Sequence, residues 1–393
     1  MESNTTESYT YLEPTDLDNN ATLITDLSCN ATHHLNVTCE LPLTYAIPLY
    51  GYFMPILLVI TIVANTLIVV VLSKRHMRTP TNVVLMAMAL CDMFTLLIPA
   101  PWFIYMYTFG NHYRPLAPVG VCYAYNVMNE ILPNLFHTSS IWLTLALAVQ
   151  RYIYVCHPPV ARKFCTMPNV NKGLFYIIFA ATLHQGLRFF DTKFGEEKIL
   201  WNNEEHSVCT KTTAYWVVHY VTEDVYYTCY YLFRIIFVHL VPCFALVVLN
   251  VLLFKALRQA QHRREQLLSK KTQKTECKKL RDSNCTTLML IVVVTVFLTV
   301  EIPLAVVSTL HVLSSGITEE FLDYYMVNAV VLFINFFIIL SYPINFAIYC
   351  GMSRQFRETF KELFNKGAEI RNGGSSRYSL VNGPRTCTNE TVL

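Results

Sequence analysis

Residues Tyr50–Leu72 read YGYFMPILLVITIVANTLIVVVL, and no side chain in this stretch carries a charge. A helix needs about 20 predominantly apolar residues to span the ~30 Å hydrocarbon core of a bilayer. Six further runs of this kind follow at Val83–Tyr105, Tyr123–Tyr154, Gly173–Phe190, Tyr230–Phe254, Leu288–Leu313 and Phe321–Tyr349. Because backbone groups in lipid must bond to one another, the sequence predicts an all-α membrane protein with a seven-transmembrane helix bundle.

The composition supports this prediction. Charged residues make up 15% of the chain and hydrophobic residues 53%, whereas a soluble protein carries about 25% charged residues. A soluble helical protein would show amphipathic runs rather than runs that are apolar on every face. The fourth run is the weakest, because it is short and contains His184, Gln185 and Arg188.

The basic residues indicate the orientation. Lys and Arg concentrate in alternate connections, at Lys74–Arg78, Arg151–Lys172, Lys255–Arg281 and after Tyr349. The other side of the membrane holds only Arg114, Arg188, Lys193, Lys198 and Lys211, of which Arg188 lies near the end of the fourth run. By the positive-inside rule, the N-terminus is predicted to lie outside and the C-terminus inside.

The N-terminal segment supports the same orientation. Asn-x-Thr acceptors for glycosylation, which only lumenal enzymes can use, begin at Asn4, Asn20, Asn30 and Asn36. We therefore expect a multi-pass protein of the plasma membrane with an extracellular N-terminus.

Four regions follow from these patterns. Residues 1–45 form an extracellular glycosylated arm, and residues 46–350 form the seven-transmembrane domain. In residues 351–366, Phe356, Phe360, Leu363 and Phe364 share one helical face, which is typical of an amphipathic cytosolic interfacial helix that contacts membrane lipid. Residues 367–393 have the composition of a disordered cytosolic tail.

Several short motifs occur in a fixed order along the spans. They are Asn65, Met88–Asp92, Gln150-Arg151-Tyr152, Pro242, Phe297 with Pro303, and Asn345–Tyr349. This ordered set resembles the signatures of the rhodopsin-like (class A) G-protein-coupled receptors. The resemblance implies a receptor whose partners are a heterotrimeric G protein and arrestin.

Four longer segments of the sequence resemble one particular family within this class. The segments 136–152, 284–294, 341–346 and 350–360 are similar to the sex peptide receptors of invertebrates, also called myoinhibitory peptide receptors. That family implies amidated, tryptophan-containing neuropeptide ligands and coupling to an inhibitory G protein.

The family resemblance assigns roles at the inner ends of the helices. Arg151 is expected to contact the G protein, flanked by Gln150 and Tyr152, and Tyr349 is expected to move towards Arg151 on activation. Relatives usually have a carboxylate where this chain has Gln150, so the resting-state hold on Arg151 should be weaker. Asp282, near the inner end of the sixth helix, is a candidate for the missing anion.

A small polar set is expected deeper in the bundle. By resemblance, Asp92, Ser140 and Asn345 would bind a sodium ion between helices, and the alternative is a cluster of hydrogen-bonded water molecules.

The outer ligand site is predicted from helical spacing and intramembrane charge. Asn126, Glu130, Asn134 and His137 recur at three- or four-residue steps and form one polar stripe on the third helix. The remaining expected ligand-binding residues are Trp102, Arg234 and Glu301. A charge in the bilayer is costly and is a functional candidate by default.

Glu301 is the largest departure from the class pattern. It lies two residues before Pro303, where relatives usually have a tryptophan. We expect it to pair with His137 or Arg234, either as a contact that affects the ligand or as an ion pair that only closes the bundle.

Cysteine positions add one expected disulfide and a question about the third helix. Cys122 and Cys209 resemble the usual bridge between this helix and the second outer loop, and Cys29 with Cys39 is a second candidate pair. Cys122 lies about four residues further from Arg151 than is common. Either the helix starts a turn higher or a loop precedes it.

Two further predictions concern the last three residues and the protein classes other than a receptor. Thr391-Val392-Leu393 fits a PDZ-domain ligand. No metal-ligand spacing and no nucleophile–base pattern occurs, so we expect neither an enzyme nor a metal site, and no nucleic-acid partner. The alternative to a receptor is a transporter or channel, but the sequence shows no inverted repeat.

Overall fold

The computed structural model describes residues 42–201, 204–269, 274–316 and 324–371. In these residues, seven long helices form a bundle and an eighth helix follows it. The helices are α1 (Leu43–Leu72), α2 (Pro80–Thr108), α3 (Val119–Cys156), α4 (Met167–Phe190), α5 (Glu223–His262, continuing to Ser269), α6 (Lys274–Gly316), α7 (Tyr325–Met352) and α8 (Arg354–Arg371). The predicted all-α bundle is confirmed.

Six of these helices are long and apolar enough to cross a membrane, and α4 is the seventh member of the bundle. Its polar residues explain its weak signal in the sequence. Gln185 is buried, and Arg188 pairs with two carboxylates inside the bundle. Polar side chains that face neighbouring helices lower the apolarity of a span without exposing charge to lipid.

The distribution of exposed residues fits a lipid environment. On α1, Ile56 and Val63 are 60% and 54% exposed, whereas Asn65 is fully buried. Apolar side chains on the outside with polar ones inside are expected where lipid replaces water. The membrane therefore accounts for the apolar outer face.

The third helix begins at Val119, above Cys122, and stays helical to Cys156. A π-helical turn at Val127–Ile131 lies just before Pro133. The extra residues between Cys122 and Arg151 are thus part of a longer helix. Of the two alternatives, the higher start is correct.

A β-hairpin that the sequence did not predict covers one end of the bundle. Strand β1 (Thr192–Trp201) pairs with antiparallel strand β2 (Glu204–Thr213). The Cys122–Cys209 disulfide joins β2 to α3, which confirms the expected bridge. We call this the outer end of the bundle, and the end that carries α8 the inner end.

Helix α8 packs against the inner end. Ser353 Oγ accepts a hydrogen bond from the amide of Phe356 (3.2 Å) and caps the helix. Phe356 is buried, and Phe360 packs against the same core cluster. His76 Nε2 lies 2.9 Å from Thr359 Oγ1 and ties the loop after α1 to this helix. The side chain of Phe364 lies outside the described residues.

Candidate functional site

An outer cavity of about 360 Å³ lies between α1, α2, α3 and α7. Four of the predicted ligand-site residues line it, namely Trp102, Glu130, Asn134 and His137. The three on α3 follow one face, as their spacing indicated. Its other polar side chains include Asn129 and Asn335, and tyrosine and phenylalanine rings supply much of the remaining wall.

Trp102 is held edge-on to Tyr125, with ring centroids 5.3 Å apart. Its indole N–H donates to Met128 Sδ at 3.4 Å. These contacts fix the ring at the outer end of α2. A rigid aromatic wall is the usual lining of a site that binds an organic ligand.

The remaining three predicted residues do not line this cavity. Asn126 is buried one turn above Glu130. Arg234 begins a π-helical turn in α5 and donates to Asn134 Oδ1 at 2.7 Å. Glu301 is fully buried in α6. Helical spacing correctly predicted which residues of α3 share one face. It gave no information on where Arg234 of α5 and Glu301 of α6 would lie.

Glu301 contacts two imidazoles. His239 Nδ1 lies 2.7 Å from Glu301 Oε1, and His137 Nε2 lies 3.4 Å from Glu301 Oε2 without hydrogen-bond alignment. Of the two expected partners, His137 is present, and Arg234 is instead bonded to Asn134. His239 was missed, although a histidine inside an apolar run was a usable signal.

His137 joins this buried group to the cavity. Its Nδ1 lies 3.4 Å from the hydroxyl of Tyr342 on α7, and both residues line the cavity. A side chain on α3 therefore touches the cavity, α6 and α7 together. A shift of His137 in the cavity lining would therefore act directly on Glu301 of α6.

Glu130 forms ion pairs with residues outside its own helix. Its carboxylate lies 3.2 Å from the Arg188 guanidinium and 3.7 Å from Lys211 Nζ on β2. Arg188 also pairs with the buried carboxylate of Asp191 at 2.7 Å. Glu130 links α3 to α4 and to the hairpin.

The predicted polar set in the middle of the bundle is assembled. Ser140 Oγ donates to Asp92 Oδ1 at 2.6 Å, and Asn345 Nδ2 lies 3.4 Å from Asp92 Oδ2. Asp92 is buried. The side-chain oxygen atoms of Asp92, Ser140 and Asn345 could bind a small cation such as sodium. They could equally bind water molecules.

An inner cavity of about 820 Å³ is lined by residues of several helices, including Arg151, Tyr154 and Tyr349. The Arg151 guanidinium carbon lies 5.9 Å from the centre of the Tyr154 ring. Gln150 is buried, and both atoms of its amide have no hydrogen-bond partner among the described residues. Arg151 is thus not held by the residue before it.

Tyr152 packs against the core between α5 and α6, near Leu253, Leu257 and Ile291. Asp282 lies within the range of α6, but its side chain is outside the described part of the chain. The glycosylation acceptors Asn4, Asn20, Asn30 and Asn36, the pair Cys29 and Cys39, and the C-terminal Thr391-Val392-Leu393 also lie outside the described residues.

Comparison with known proteins agrees with the class that the helix bundle and its two cavities define. The model of the serpentine type 7TM GPCR chemoreceptor family Srw matches residues 52–367. The chain is 60% identical to the sex peptide receptor of Drosophila melanogaster, over 93% of this chain and 84% of the relative. It is 35% identical to sex peptide receptor-related protein 2 of Caenorhabditis elegans, over 84% and 75%.

The chain therefore belongs to the serpentine seven-transmembrane G-protein-coupled receptors, within the family of the sex peptide receptors. The family consists of membrane receptors, so this protein is a receptor and not an enzyme. A more distant similarity, 24% identity over 80% of this chain and 54% of the relative, connects it to the FMRFamide receptor of Drosophila melanogaster.

Proposed function

We propose that this protein is a plasma-membrane receptor for an amidated neuropeptide and that it activates a heterotrimeric G protein of the inhibitory class. The observation that carries the proposal is the pair of cavities at opposite ends of one bundle, whose linings share no residue. A receptor needs two separate sites coupled through helices, whereas a channel needs one continuous polar path.

The outer cavity supports a peptide ligand. Its volume of about 360 Å³ is large enough for one or two side chains of a peptide, within the range of small-molecule sites. Aromatic walls with a few amides and one carboxylate suit a chain that carries both apolar and polar groups. The names of two similar receptors refer to peptides, the sex peptide and FMRFamide.

The inner cavity supports coupling to a G protein. Arg151 and Tyr349 both line it, and the guanidinium of Arg151 has five donors for backbone carbonyls of an inserted helix. Arrestin would use the same cavity. The basic segments support an orientation with this end in the cytosol and the N-terminus outside.

The Asp92 set supports a bound sodium ion. Two of the Asp92 contacts come from α3 and α7, so an ion there would bridge three helices. An ion that binds the resting arrangement better than the active one shifts the population towards rest.

A reconstituted system tests the proposal. Purified receptor in lipid vesicles is mixed with inhibitory G protein, and nucleotide exchange is measured with each member of a library of amidated neuropeptides. We expect at least one peptide to accelerate exchange. Arg151→Ala should abolish exchange while peptide binding remains, and Arg162→Ala, on the short helix Pro158–Phe164, should behave like wild type. Peptide-dependent solute flux without exchange would favour a transporter or channel.

A further inference from the structure

Arg234 is a half-buried cation inside the bundle whose hydrogen-bond partner is neutral. It lies on α5 and donates from Nη2 to Asn134 Oδ1 at 2.7 Å. The phenol of Tyr230, which is also neutral, lies within reach of the guanidinium, and its ring stacks on His184 with centroids 4.9 Å apart. Among the described residues, no carboxylate oxygen lies within ion-pair distance of its guanidinium.

The three carboxylates that the structure places among the helices near Arg234, those of Glu130, Asp191 and Glu301, already contact other groups. Asp191 and Glu130 pair with Arg188, and Lys211 adds a second cation to Glu130. Glu301 contacts His239 and His137. In the described part of the outer half, Arg234 is therefore the intramembrane arginine without an anion.

This arrangement is unfavourable for the protein alone. A guanidinium removed from water loses hydration, and only a counter-ion with good geometry compensates for the loss. A neutral amide gives a weaker bond than a carboxylate does. Because intramembrane arginines are rare and usually face a cavity or a partner, the position indicates binding rather than packing.

Asn134 connects Arg234 to the outer cavity. The amide lines that cavity, and its Nδ2 donates to the backbone oxygen of Glu130 at 2.6 Å. Its Oδ1 thus occupies the acceptor position in front of the guanidinium. A ligand carboxylate that enters the cavity and replaces this oxygen would reach Arg234 directly.

We propose that Arg234 binds a carboxylate of the peptide ligand, with Asn134 as the neutral acceptor that this carboxylate displaces. Arginine suits this role because its planar fork matches a carboxylate with two parallel hydrogen bonds. The carboxylate comes from an acidic side chain of the peptide, because the amidated C-terminus of the proposed ligand carries no charge. This inference rests on the proposed function, since it names the chemistry recognised at the same site.

Synthetic peptides made in matched pairs test it. Each pair compares Asp with Asn at one position of an amidated library peptide. Binding is measured on purified receptor. We expect at least one acidic member to bind about tenfold more tightly than its neutral twin, equal to about 1.4 kcal/mol. The position that shows the difference identifies the acidic side chain that is recognised.

Receptor variants test whether Arg234 causes the preference for the acidic peptide. In Arg234→Gln the acidic and neutral twins should bind equally, and in Arg234→Lys a reduced preference should remain. Arg114→Gln removes an exposed outer-loop cation and should leave the preference unchanged. An acid preference that persists in Arg234→Gln would overturn the proposal, as would the absence of any preference in wild type.

A probe without peptide separates this inference from the proposed function. Acetate and acetamide have nearly the same shape and differ in charge. At constant ionic strength, replacing chloride with acetate should raise the unfolding temperature of the purified receptor in a saturable manner, and acetamide should not. Arg234→Gln should lose the acetate effect. If no peptide binds while acetate still acts through Arg234, the peptide function fails and the carboxylate site stands. Equal effects of acetate on wild type and Arg234→Gln would refute the site.

Discussion

Glu301 on α6 and His239 on α5 lie 2.7 Å apart, from Oε1 to Nδ1, and both side chains are buried. The bond holds α5 to α6 two residues before the proline at Pro303. Since Glu301 does not line the outer cavity, its contact is internal to the bundle. It joins α6 to α5, while His137 connects the same carboxylate to the cavity lining.

Removing either partner should destabilise the receptor. We expect Glu301→Leu and His239→Leu each to lower the free energy of unfolding by about 1–3 kcal/mol, because the remaining buried polar group loses its hydrogen-bond partner. The double variant should lose less than the sum of the two. Thermal and denaturant unfolding of purified protein in detergent measures this, and strictly additive losses would show that the pair is not coupled.

The order of the helices was predictable from the sequence, because a run of about 20 apolar residues has one stable structure in lipid. The cavity residues on α3 were predictable as well, since spacing fixes which residues share a helix face. Spacing alone does not give partners across helices: Asp92 with Ser140 and Asn345 was expected from the family resemblance, and other pairs were missed. Glu130 and Arg188 are 58 residues apart, and their contact depends on how α3 and α4 are rotated and shifted against each other.

The β-hairpin was missed for a local reason. Residues Thr192–Thr213 are rich in Lys and Glu, so they read as a polar loop between spans. Their strands are stabilised by pairing with each other and by the disulfide at Cys209. The signal that was available is the density of threonines, which favour strands.

The Arg188 network should contribute strongly to stability. Arg188→Ala leaves the fully buried carboxylate of Asp191 without its ion pair, and breaking such a buried pair costs about 3–5 kcal/mol. The exposed pair between Lys198 and Glu205, whose side chains are 73% and 71% exposed, provides the control. Lys198→Ala should change the unfolding temperature very little, since exposed pairs contribute about 0–1 kcal/mol. Similar losses in both variants would contradict the assignment.

Sodium should oppose activation through Asp92. In wild type, replacing potassium with sodium at constant ionic strength should lower basal nucleotide exchange and weaken binding of an activating peptide. Asp92→Asn removes the carboxylate that an ion would need, so the two salts should act equally on that variant. A sodium effect that survives in Asp92→Asn would place the ion elsewhere, and no sodium effect in wild type would favour the water cluster.

Gln150 gives the clearest expectation for activity without ligand. Its amide is buried and makes no hydrogen bond among the described residues, so the resting state gains no hold on Arg151 from it. A carboxylate at this position would form a charge-assisted hydrogen bond with the guanidinium, roughly twice as strong as a neutral one.

We therefore expect measurable basal signalling in wild type and a several-fold decrease in Gln150→Glu, which corresponds to about 1 kcal/mol of added resting-state stability. Gln150→Met keeps the size of the side chain and removes only an amide that bonds to nothing in the described structure, so its basal signalling should equal that of wild type. Asp282→Asn should raise basal signalling if Asp282 supplies the anion for Arg151. Basal nucleotide exchange at matched surface levels is the measurement. Equal basal exchange in wild type and Gln150→Glu would mean that other contacts hold the receptor at rest, whereas a fall in Gln150→Met would mean that the amide has a partner in the resting state.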